Sequence, residues 1–127
     1  PSKSRGLGDV YKRQRYDYLR IAKLIMDHWK SDTCVGKYLK TIYENRVDKK
    51  KNKYSKFIGN HAATQSYGGQ FHFDPIGIKE RPILMMDGFA GQQVVIDFNK
   101  NKIITVHSTD AHYDWYSLVY LQLEPDL

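Results

Sequence analysis

The chain predicts an α+β fold, an antiparallel sheet with flanking helices, on three observations. Apolar residues recur at helical spacing between 16 and 46, the period drops to two after Ser66, and helical spacing returns near the C-terminus. Within the period-two region, Asn99-Lys100-Asn101-Lys102 is a polar stretch of hairpin-turn length between two apolar runs. The strands on either side are therefore antiparallel neighbours.

In chain order, Tyr18, Ile21, Ala22, Ile25 and Trp29 form one face of a first helix over 16–29, with Leu24 beside them. Ser31-Asp32-Thr33 supplies N-cap chemistry for a second helix, carried by Val35, Tyr38, Leu39 and Ile42 to about Arg46. The region 47–65 has poor periodicity and many Lys and Asn residues, so it reads as a loop. A sheet of three or four strands is predicted over 67–108. It uses Gly69 to Phe73, Ile83 to Met86, the alternating Val94, Ile96 and Phe98, and Ile103 to His107. Trp115, Leu118, Val119 and Gln122 define a closing helix over 113–122, with Asp110 or Asp114 as its cap.

Residues 4–14 match the translation of a transposon-type sequencing adaptor, so 1–14 are read as adaptor-derived and set aside from the fold. On that reading 15–127 is the C-terminal portion of one domain, with its natural N-terminus and any signal peptide lost. Without 1–14 the net charge falls from +6 to +3, and the stretch from Arg46 to Lys56 alone carries +5. The remainder is slightly acidic. Basic residues gathered in one solvated loop are not the spread, aromatic-interleaved face of a nucleic-acid binder, so no nucleic-acid partner is expected. No apolar run approaches the roughly 20 residues of a membrane span, and a single cysteine excludes an internal disulfide framework.

His107, Asp110, His112 and Asp114 are the densest set of metal-ligand types, but they straddle a strand end and a helix start, where Asp and His serve as caps. No metal and no cofactor is predicted. Cys34 falls in a first helical turn without a histidine placed beside it by sequence, which argues against a nucleophile.

Tyr67-Gly68-Gly69-Gln70-Phe71-His72-Phe73, followed by Met86-Asp87-Gly88-Phe89-Ala90-Gly91-Gln92-Gln93-Val94-Val95-Ile96-Asp97, resembles the C-terminal part of beta-lactamase-related serine hydrolases. That group includes class C beta-lactamases, penicillin-binding proteins, and esterases and amide hydrolases of the same fold. The resemblance implies the C-terminal part of a beta-lactamase/transpeptidase-like fold. It also implies cleavage of a small-molecule ester or amide through an acyl-enzyme. The serine of the family's Ser-x-x-Lys motif and its Tyr-x-Asn motif would lie upstream, so no catalytic residue is expected here and the fragment alone should be inactive. Ser55-Lys56 and Tyr43-Glu44-Asn45 are only partial echoes of those motifs.

Aligned on the following Gly-Gln, Met86-Asp87-Gly88 takes the place of the family's Lys-Thr-Gly or His-x-Gly. Gly88 would let substrate lie against the strand, and Phe89 would offer its backbone N–H to the oxyanion. Met86 and Asp87 replace a cation by a neutral and an acidic residue, which argues for a neutral or cationic substrate. Alternatively, Met86 packs under the sheet and Asp87 caps a turn. A second class of function, a non-enzymatic binding or sensor module of the same fold, is kept beside the hydrolase. The resemblance leaves an exported or a cytoplasmic location open.

Overall fold

A computed structural model of the chain describes residues 2–49, 64–88, 92–108, 110 and 114–123. The side chains of 2–14, 115 and 116 lie outside it, as does most of the loop read at 47–65. The described elements are α1 (Ser2–Lys30), α2 (Cys34–Glu44), β1 (Val47–Asp48), β2 (Thr64–Gly68), β3 (Phe71–Pro75), β4 (Ile83–Gly88), β5 (Gln92–Asp97), β6 (Lys102–Val106) and α3 (Trp115–Leu123). The strands form one antiparallel sheet in sequence order, β1 to β6. The α+β class read from the sequence is the class observed.

Several boundaries move. The first helix begins at Ser2, because its backbone runs without interruption through 2–14 into the amphipathic segment. Six strands are described, where three or four were predicted. The two additions are β1 and β2, which lie partly in the stretch read as loop. Thr64 and Ser66 of β2 are buried, and their polarity hides the inward face from an apolar-alternation reading. Their hydroxyls are satisfied: Lys49 Nζ donates to Thr64 Oγ1, and Ser66 Oγ donates to Asp74 Oδ2 at 2.6 Å. Gly69 and Gln70, predicted as strand, are instead the two-residue turn joining β2 to β3. Both have positive φ, 54° and 70°, as a tight hairpin loop requires.

The helices cover both faces of the sheet. Ala22, Met26, Leu39, Phe73, Leu84, Val94, Ile96 and Phe98 form the core on the α1/α2 face. Ile78, Ile83, Met85, Val95, Val119 and Leu123 form a second core on the α3 face. This explains why β5 is buried from Gln93 to Asp97 without a solvated face. It also corrects the helical stripes. Ile21, Leu24, Val35, Tyr38 and Leu118 are exposed, while Met26, Gly36, Leu39 and Leu123 face inward. Trp29 ties the helices to the sheet, stacking on Phe98 at 4.1 Å and meeting the edge of Tyr43 at 5.8 Å.

A largely buried ion pair ties the chain just after α2 to β3. Arg46 Nε donates to Asp74 Oδ2 at 2.8 Å, and its guanidinium lies 4.0 Å from the centre of the Tyr43 ring. Burial raises the Tyr43 phenol above its ordinary value, against the pull of Arg46. The Tyr43 ring packs edge-on against Trp29 and Phe73. Asp114 caps α3, accepting from Ser117 N at 3.1 Å, as the sequence suggested for one of its two candidates.

Candidate functional site

Strand β4 ends at Met86-Asp87-Gly88, and β5 begins opposite it with Gln92 and Gln93 in register. Alternation puts Met86, Gly88, Gln92 and Val94 on the α1 face of the sheet, and Met86 and Val94 belong to the core there. The α1 helix crosses that face and supplies Tyr18. His107, one residue past β6, meets the Tyr18 ring at 5.3 Å between centroids. Together with Asp87, Gln93 and Val106 these residues line a cleft of about 140 Å³.

Of the four residues singled out by sequence, Met86, Asp87 and Gly88 line this one cleft, and Phe89 lies outside the described residues. Met86 is half-buried and packs against the α1-face core, so the packing account holds for it while its exposed part forms cleft wall. Asp87 is exposed and accepts a hydrogen bond from Gln93 Nε2 across the strand pair. A Cβ on Gly88 would come within 3.2 Å of the Gln92 Cβ, so a side chain at 88 would need the facing strand to give by a few tenths of an ångström.

The sequence did not point to Tyr18 as part of the site, and it read His107 only as a metal candidate. The His107–Asp114 group yields no metal cluster among the described residues; His112 lies outside them. Two atoms in the cleft-lining residues are buried without a hydrogen-bond partner: Gln93 Oε1 and His107 Nε2. Orphaned buried polar atoms of this kind are uncommon in folded proteins and ask for a partner.

On the opposite face, Lys49 Nζ approaches His72 Nδ1 at 2.8 Å. Burial holds the Lys49 ammonium below the ordinary lysine value, and the charge of Asp87 works against that shift. The Asp87 side chain accepts from the Gln93 amide on this same side of the sheet. The sign of the pH effect follows. Above the depressed folded value and below the ordinary one near 10.5, the unfolded chain binds more protons at Lys49, so stability rises with pH in that window. A Lys49→Met variant should lose this rise. Denaturant unfolding of both chains from about pH 8 to 10.5 checks it, and parallel pH profiles would refute it.

Cys34 is exposed at the start of α2. The nearby His28 Nδ1 is engaged with Thr33 Oγ1 at 2.9 Å. The described serine hydroxyls of Ser31, Ser66, Ser108 and Ser117 all donate to backbone carbonyls or carboxylates. No helix among the described residues is long and apolar enough to cross a membrane.

Comparison of the chain with protein-family models, curated proteins and solved structures finds no match.

Proposed function

We propose that this chain is the C-terminal part of a beta-lactamase-related serine hydrolase that cleaves an ester or amide through an acyl-enzyme. The supporting observation is the convergence of Met86, Asp87 and Gly88 on a single cleft at the paired ends of β4 and β5. In this reading the nucleophilic serine belongs to a part of the parent protein outside this chain. The engaged hydroxyls of the described serines fit that assignment.

In this reading the region forms one wall of the cleft. An upstream serine oxygen attacks the acyl carbonyl, the alcohol or amine departs with a proton, and water then releases the acid from the acyl-enzyme. In this reading the acyl group lies along the end of β4 at Gly88, and the resemblance assigns the oxyanion donor to the backbone N–H of Phe89. A donor of that kind is worth roughly 3–4 kcal/mol in acyl transfer. Asp87, an acidic residue beside Gly88, favours a neutral or cationic substrate over an anionic one.

A fluorophosphonate probe tests the reading. It should label the full-length parent and leave this 127-residue chain unlabelled. Gly88→Val in the parent, whose added side chain presses on Gln92 in the cleft wall, should shift bound substrate and lower turnover about a hundredfold, with the protein still folded by circular dichroism. A parent that resists the probe, or a Gly88→Val enzyme with normal turnover, would favour a binding module without chemistry.

A further inference from the structure

We propose that the Tyr18–His107 cleft is a recognition pocket for a small uncharged aromatic or alicyclic group bearing one hydrogen-bonding substituent. This deepens the hydrolase reading and rests on it for calling the occupant part of a substrate; the binding itself does not need a nucleophile. Three observations combine.

The first is size. A volume of about 140 Å³ is close to the roughly 150 Å³ of an apolar cavity that accommodates benzene. The second is lining. Tyr18, Met86, Val94 and Val106 give the pocket an apolar body, with polar groups at few points, the usual composition of a small-molecule site. The third is the unpartnered His107 Nε2, buried in a residue that lines the cleft. An imidazole nitrogen serves as donor or acceptor according to tautomer, so a hydroxyl or amide on the occupant satisfies it either way. The ring is held in place by its contact with Tyr18. The apolar lining completes the selection, since an ionised occupant loses its hydration there.

Phenol, benzene and benzoate titrated into the 127-residue chain provide the test, followed by NMR at the Met86 methyl and the His107 ring. Phenol should move both signals and bind about tenfold tighter than benzene, the value of one hydrogen bond to a buried polar atom. Benzoate should bind more weakly than phenol. His107→Phe keeps a ring against Tyr18 and should bring phenol down to the affinity of benzene. If that variant does not fold, the phenol-to-benzene ratio on the unaltered chain decides alone. Equal affinities for phenol and benzene, or no movement of either signal, would overturn the pocket. Serine-probe labelling of the parent reads out separately. Phenol binding with an unlabelled parent keeps the pocket and removes the hydrolase; labelling without phenol binding does the reverse.

Discussion

Replacing Arg81 by methionine is expected to remove about 3–5 kcal/mol of folding stability, the cost of stranding a buried charge. Arg81 and Asp97 are 5% and 0% exposed. Arg81 Nε donates to Asp97 Oδ2 at 2.8 Å, and Nη2 donates to the Leu123 carbonyl at 2.6 Å. The guanidinium thus joins the end of β5 to the last turn of α3, where backbone carbonyls carry partial negative charge. Methionine fills much of the volume but leaves Asp97 without its cation and the α3 carbonyl without its donor. Against a typical total of 5–15 kcal/mol, a loss of this size brings the chain near unfolding. The double variant Arg81→Met, Asp97→Leu separates charge from packing. It removes the stranded carboxylate and should recover part of the loss, short of about 1 kcal/mol each for the unrestored bond to the Leu123 carbonyl and for the bond from Lys100 N to Asp97 that tightens the β5–β6 turn. Urea unfolding of the three chains measures this. A single variant within 1 kcal/mol of the parent chain would mean that the clamp does not hold α3.

That clamp could not be read from the sequence. Arg81 follows Lys79 and Glu80 in a charged connector, and such a run ordinarily reads as solvated surface. Its burial depends on α3, more than thirty residues later, folding back across Ile83 and Met85. Strands β4 to β6 were legible because apolar runs and the turn after Phe98 agree on them. Strand β2 was not, since its buried positions are Thr64 and Ser66. In the helices the spacing located an apolar arc but not which member of an adjacent pair turns inward. Ile21 and Val35 are exposed, and Ala22 and Gly36 are buried beside them. For the site, Met86 to Gly88 stood out through a resemblance in motif order. Tyr18 and His107 reach the same cleft from opposite ends of the chain, and no local pattern in either segment announces the other.

The packing of the start of α2 against the end of α1 depends on Gly36, and Gly36→Ala should destabilise the chain by about 2 kcal/mol or more. Two effects compete. Alanine is favoured over glycine in a helix by at most roughly 1 kcal/mol, and Gly36 stands in the first turn, three residues after the Thr33 cap. The added Cβ, however, would lie 2.0 Å from the His28 carbonyl oxygen and 2.7 Å from that of Ser31, inside the 3.0 Å that real Cβ contacts essentially never breach. Both neighbours are backbone, so no rotamer change relieves the clash and the helices must separate. Overpacking costs typically 1–3 kcal/mol and sometimes more, and an obstruction by fixed backbone belongs at the top of that range. The displacement would also disturb the cap, where Thr33 Oγ1 accepts from Gly36 N at 3.0 Å and contacts His28 Nδ1. Because α1 carries Tyr18 into the cleft, moving this helix should loosen the Tyr18–His107 contact as well. Gly36→Ala is therefore expected to lower the denaturation midpoint and weaken phenol binding together. A variant as stable as the parent chain would show that the helices are not held at this distance. A destabilised variant with undiminished phenol affinity would show that the cleft is positioned by the sheet alone.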